Sequence, residues 1–226
     1  MKTLIAVAGC NQPVYQGRWL NQCLTWIPHQ AQTLPDVDVR LFTGRGTSKP
    51  MCDEVRLNCP DSYPERKKKV KAIFCWALEN GYDRLVKIDD DTYVRPERLA
   101  SLEEIDYGGF RMQQKFMDGP KFLYERETIL GAFYVMSRKA MRCCLEPDLH
   151  PEVPFEDCWV SLQLVDSGIA MVDLRPRLGY EFYNGDPAPS WFDNHTPPKP
   201  DNNIVASWEY RTFTAMDLVH KTFLSD

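Results

Sequence analysis

Apolar residues in this chain fall into short runs rich in β-branched side chains, separated by stretches with helical spacing. The runs lie at residues 4–8, 37–42, 84–88, 107–110, 132–136 and 169–174, each of strand length. The clearest helix is predicted after Ser62-Tyr63-Pro64-Glu65, which reads as a capping box. Beyond it Val70, Ile73, Phe74, Ala77 and Leu78 recur on one helical face until Asn80-Gly81 stops the pattern. A second helix is predicted to begin at Ser137 and a third to run from about residue 155 to 167, with Gly168 as its stop. Strand and helix alternate, so the pattern predicts an α/β fold with a mixed, mostly parallel sheet flanked by helices.

From about residue 178 to 207 the composition shifts to Pro, Asn, Asp and aromatic residues. Pro187, Pro189, Pro197, Pro198 and Pro200 disfavour regular structure there, so a long loop is expected. Loops of that length are often lids or binding loops, with a merely disordered excursion as the competing expectation; the faces of Trp191, Phe192 and Trp208 suit sugars, although each taken singly fits a core position better. No repeat, low-complexity linker or charge break divides the 226 residues, so one domain over 1–226 is expected.

Charge and cysteine content narrow the function classes. Net charge is −5 and the one basic run, Lys67-Lys68-Lys69, is too short for a nucleic-acid stripe; no nucleic-acid partner is expected. No apolar run approaches the roughly 18–20 residues of a membrane span. The apolar stretch before Val7-Ala8-Gly9-Cys10 falls short of the roughly 7–15 residues of a signal-peptide core. A cytoplasmic location is therefore expected, with the eight cysteines reduced; none lies in Cys-x-x-Cys spacing, so zinc is not expected either.

The candidate chemistry is concentrated in Leu85-Val86-Lys87-Ile88-Asp89-Asp90-Asp91-Thr92-Tyr93-Val94, where an apolar run breaks into three carboxylates and then resumes. Open α/β sheets bind ligands at the carboxyl ends of their strands, and adjacent carboxylates there repel one another unless a cation joins them. All-oxygen ligands suit Mg²⁺ or Mn²⁺, which complete their shells with substrate phosphates and water. A calcium loop begun at Asp89 fails, because Tyr93, Val94 and Ala100 stand where an oxygen ligand, Gly and Glu are needed. The triad is also compatible with a solvated turn capping a helix that opens at Pro96-Glu97-Arg98-Leu99. A second acidic pair, Glu156-Asp157, sits at the predicted start of the third helix, where the helix dipole favours ionised acids.

Several blocks together resemble the family 31 glycosyltransferases, the β-1,3-galactosyl- and N-acetylglucosaminyltransferases and Fringe-type enzymes. Asp61-Ser62-Tyr63 with Lys69 and Trp76 is similar to the family's Asp-x-Tyr block, and 87–94 to its Asp-x-Asp motif. Gly131 with Tyr134-Val135-Met136-Ser137 resembles its Tyr-Val-Leu-Ser segment, and Glu156-Asp157 its Glu-Asp-Val block. The resemblance covers roughly 61–168. It implies a single-domain GT-A fold with a Rossmann-like nucleotide-binding half. It further implies a UDP-sugar donor, a saccharide or other hydroxyl acceptor, Mn²⁺ or Mg²⁺, and inversion at the anomeric carbon. Carried over, Asp89 and Asp91 would hold the ion, Asp89, Asp90 and Lys69 would serve the donor, and Asp157 would be the general base.

The chain departs from the family at three places. Cys23-Leu24-Thr25-Trp26 stands for Arg-x-Thr-Trp, with Arg18 nearby; Gly131-Ala132-Phe133 stands for Gly-Gly-Gly; and no His occurs near Ser207-Trp208. His195, in the aromatic loop, is the candidate third metal ligand. Two other functions remain open at this level: a nucleotide-sugar or carbohydrate binder on a degenerate transferase scaffold, and a metal-dependent phosphodiesterase.

Overall fold

The computed structural model describes residues 1–28, 34–46, 48–102, 104–118, 121–177, 206–207 and 221. Their core is a seven-stranded sheet in the order β3-β2-β1-β4-β7-β6-β8. It is formed by β1 (Thr3–Ala8), β2 (Val37–Thr43), β3 (Glu54–Arg56), β4 (Arg84–Asp89), β6 (Tyr107–Asp118), β7 (Lys121–Ser137) and β8 (Val172–Asp173). The pairs β1–β2, β1–β4, β2–β3 and β6–β8 are parallel, and β4–β7 and β6–β7 antiparallel. The expected mixed, mostly parallel sheet is therefore present.

Both faces of the sheet are covered, which is why β1 reads as a nearly continuous apolar run. Leu4 and Ala6 of β1 pack with Val70, Ile73, Phe74 and Ala77 of α2 (Arg66–Glu79). Their neighbours Ile5 and Val7 point the other way, into a cluster containing Trp19 of α1 (Pro13–Cys23). So β1 is followed by a helix on one face, and β4 is preceded by a helix on the other. The chain leaves β1 toward β2 on one side while β4 pairs on the opposite side. This arrangement opens a crevice at the carboxyl ends of β1 and β4, where Ala8 and Asp89 are register partners.

Helix ends follow the sequence closely, with one correction. Gly81 and Gly168 take φ of 78° and 81° after their helices, a conformation that costs glycine little. Ser137 caps α3 (Arg138–Cys143), accepting the Ala140 N–H at 3.2 Å. The capping box at 62–65 does not form. Tyr63–Glu65 is a 3₁₀ turn, Glu65 occupies the cap position without a side-chain cap bond, and Lys68 pairs with its carboxylate at 2.6 Å.

Other expected elements are also redrawn. Pro96–Leu102 is 3₁₀ rather than α-helical. The runs at 107–110 and 132–136 are the sheet-bound ends of a long β6–β7 hairpin, with no helix between them. Exposed Gln113, Lys115, Glu125 and Arg126 break the apolar pattern there, and the hairpin is held by cross-strand pairing instead. Of the predicted 169–174 run only β8 is strand. The predicted loop at 178–207 lies outside the described residues except for β9 (Ala206–Ser207), which pairs antiparallel with β5 (Tyr93–Val94) just after the acid triad. Among the described residues no helix is long and apolar enough to cross a membrane, and all eight cysteines are free thiols.

Candidate active site at the carboxyl ends of β1 and β4

A cleft of about 510 Å³ opens where the chain leaves β1 and β4. It is lined by Gly9 and Cys10 after β1, by Asp89 at the end of β4 with Asp90 and Asp91 after it, and by Arg18 of α1 and Arg66 and Lys69 of α2. A smaller hollow of about 320 Å³ shares Cys10, Gln12 and Asp61 with it and extends toward Arg45 and Ser48. The volume of the main cleft is in the range of small-molecule sites.

The three aspartates are held differently. Asp89 ends β4 and accepts from the Lys87 ammonium at 2.7 Å. Asp90 is 4 % exposed; its Oδ1 accepts from Arg18 at 3.0 Å and its backbone carbonyl from the Gln22 amide at 2.8 Å. Its Oδ2 is buried without a partner among the described residues. Burial pushes the Asp90 carboxyl up to about 6, against the pull of Arg18. Asp91 lies 3.8 Å from the same guanidinium. Arg18 thus offsets the mutual repulsion of the triad, a role the sequence only hinted at by its closeness to the missing family Arg.

The β1 side is built on Asp61. Its carboxylate accepts from the Lys69 ammonium, from the Asn11 N–H, and from the Gly44 N–H at 2.7 Å. Lys69 in turn donates to the Gly9 carbonyl at 2.8 Å. The loops after β1 and β2 are therefore fastened to the start of α2. Burial disfavours the Asp61 carboxylate, but these donors outweigh it and hold its pKa below the usual range. Cys10, by contrast, is no ready nucleophile, since burial and Asp61 raise its thiol to about 11.

The opposite wall comes from β7 and α4 (Glu156–Asp166). Between the β6 pairs Gly109↔Tyr134 and Arg111↔Ile129 the register slips, so 130–133 of β7 bulge away from β6, with Phe133 still paired to Ile88 of β4. The bulge brings Gly131 against the start of α4, where its N–H donates to Asp157 Oδ2 at 3.2 Å. Asp157 Oδ1 accepts the Cys158 N–H at 2.8 Å. Glu156 is 4 % exposed and lines the cleft; burial pushes it up to about 7, with Lys87 opposing and Asp157 and Asp89 adding to the rise. A Cβ at Gly131 would lie 3.2 Å from Glu156 Oε2 and 3.3 Å from the Asp157 Cβ, so a side chain there would press on both acids.

Asp89, Asp90, Asp91 and Lys69 thus line one cleft, and Asp157 stands beside it against Gly131. Trp76 of the Asp-x-Tyr block lies elsewhere, packed between Phe42 and Tyr82 with centroids 5.2 and 5.9 Å away. His195 lies outside the described residues. The sequence reading missed Lys87 and Gln22. Lys87 could have been found, because a lysine inside a buried strand run is rarely left unpaired, and two residues on it shares a face with Asp89.

Among the described residues, no three His, Cys, Asp or Glu side chains are grouped to hold a metal ion. The oxygen donors of Asp89 and Asp91 at the cleft nevertheless suit a Mg²⁺- or Mn²⁺-type ion. Such ions usually take one or two carboxylates and fill their shells with phosphate and water.

No protein-family model matches the chain, and no curated protein matches it. Its similarity to known proteins is in the fold. A glycosyltransferase involved in glycosylation of the major capsid of PBCV-1 superposes with a TM-score of 0.52 at 12 % identity, over 98 % of this chain and 100 % of that one. The fold is GT-A-like. Two further structures match more loosely. One is a CMP:2-keto-3-deoxy-manno-octonic acid synthetase complexed with CTP (TM-score 0.43, 11 % identity, 76 % and 89 % covered). The other is a UDP-glucose pyrophosphorylase variant from Leishmania major (TM-score 0.41, 10 % identity, 64 % and 51 % covered). The fold assignment rests on the first.

Proposed function

We propose that this chain is a metal-dependent, inverting glycosyltransferase. It would move a hexose of the galactose or N-acetylglucosamine type from a UDP-sugar to a saccharide or other hydroxyl acceptor, in β-1,3 linkage as the family 31 resemblance implies. The observation that carries the proposal is the cleft at the reversal in strand order, lined by the acid triad at the carboxyl end of β4 and by Glu156 at the start of α4, with Asp157 beside it on the same helix start. The GT-A-like fold supports a nucleotide-sugar donor.

In this reading Asp89 and Asp91 would hold Mn²⁺ or Mg²⁺, with His195 as the third protein ligand. The ion would neutralise charge on the departing diphosphate. Lys69 and Arg66 add cationic character to the wall that faces the triad. Asp90, steadied by Arg18, serves the donor. Asp157 takes the proton of the acceptor hydroxyl, and attack in line with the departing nucleotide inverts the anomeric centre. The two backbone N–H groups at its carboxylate keep it aimed.

The test is donor turnover with Mn²⁺ across UDP-glucose, UDP-galactose and UDP-N-acetylglucosamine. Slow release of UDP from at least one of them, abolished by chelation, is the expected result. Cleavage of simple phosphodiesters instead would make the cleft that of a phosphodiesterase, and donor binding without turnover would make it a binding scaffold.

A further inference from the structure

Lys87 is 1 % exposed, and no step of the proposed transfer uses it. Its ammonium meets acceptors from three different elements. Asp89 Oδ1 on β4 lies at 2.7 Å and Glu156 Oε1 on α4 at 3.4 Å, and the third acceptor is the Gly131 carbonyl in the β7 bulge. Gly131 carries the connection onward, since its N–H donates to Asp157 Oδ2. We propose that Lys87 is a positioning residue, fixing the donor-side carboxylate Asp89 and, through Gly131, the base Asp157 in one geometry. The inference rests on the proposed function for the roles of those two acids.

The Lys87 ammonium, which can only donate, gives hydrogen bonds to Asp89 and to the Gly131 carbonyl and pairs with Glu156 by charge. Asp89 and Asp157 stand on separate elements: β4 pairs along β7, and the start of the helix that carries Asp157 is bonded to Gly131 of β7. A displacement of about 1 Å between reacting groups costs on the order of 10²-fold in rate, so such a pair needs a fixed link. The competing role is simpler: Lys87 would only be the counter-charge that permits Glu156 to be buried. That role concerns one of the three contacts, whereas positioning concerns the other two.

The double variant Lys87→Met/Glu156→Gln separates the two roles. Lys87→Met alone strands a buried acid and should lower Tm steeply, whereas neutralising both partners removes the uncompensated charge. The double variant is expected to regain most of the lost Tm and, with Asp89 loosened, to bind UDP with Mn²⁺ about threefold to tenfold more weakly than the parent. Its transfer kcat should fall further, by on the order of 10²-fold. Parental kcat in the double variant would overturn the proposal in favour of the counter-charge, and a UDP affinity that falls as far as kcat would overturn it in favour of direct donor binding.

Amide hydrogen exchange of Gly131 reads the same link without turnover. Exchange there should quicken at least about tenfold in the double variant while Ile73 and Phe74 in α2 keep parental rates, and a parental Gly131 rate would contradict positioning. A parent that turns over no nucleotide sugar counts against the proposed function instead, and leaves the exchange result to decide whether Lys87 anchors Gly131.

Discussion

Asp157→Asn is expected to retain UDP binding and lose sugar transfer by about 10²–10⁴-fold, the range of a positioned general base. The carboxylate is fixed at the start of α4 by the Cys158 N–H at 2.8 Å and the Gly131 N–H at 3.2 Å. An amide keeps the shape but cannot take a proton, and its NH₂ group must face one of those two N–H groups. A modest loss of stability should therefore accompany a large loss of rate. UDP affinity by calorimetry and transfer rate with a saccharide acceptor, measured on the same preparation, separate the two. Transfer at the parental rate would reduce Asp157 to a residue that complements the helix dipole.

Asp61→Ala should destabilise the protein at neutral pH by about 3–5 kcal/mol, the cost of removing one partner from a buried ion pair. Lys69, whose side chain is 6 % exposed, would lose its carboxylate, and the Asn11 and Gly44 N–H groups would lose their acceptor. The effect has a sign in pH. The Asp61 carboxyl titrates lower in the folded chain than its ordinary value of 3.8, so its contribution is present above that value and fades as pH falls through the folded pKa. Urea unfolding of parent and variant from neutral to acid pH should show the gap closing on the acid side. A gap that stays constant through acid pH would mean that the packing of the side chain, and not its charge, is what matters.

The elements around the site were legible where local chemistry dictates structure. Buried strands such as β1 and β4 announce themselves as apolar runs, and Gly81 and Gly168 mark stops that require positive φ. The β6–β7 hairpin was not legible, since Gln113, Lys115, Glu125 and Arg126 face solvent and long-range pairing alone makes them strand. The acid triad and the Glu156-Asp157 pair could be read as sites because adjacent carboxylates require an explanation. How they meet could not be read: the bulge at 130–133, which brings Gly131 to α4, depends on a register slip against β6. Lys87 was hidden for a related reason, because its partners Glu156 and Gly131 are distant in sequence and near only in the folded chain.

UDP calorimetry on the parent and Asp91→Asn, with and without Mn²⁺, tests most directly whether the cleft beside Asp89 and Asp91 binds a nucleotide diphosphate through a divalent cation. Replacing a charged ligand by an amide removes much of the attraction to a dication. The parent is expected to bind UDP far more tightly with Mn²⁺ than without, and Asp91→Asn to lose most of that difference while keeping its fold. UDP affinity that ignores Mn²⁺ in the parent, or a metal dependence unchanged in Asp91→Asn, would contradict binding through the cation.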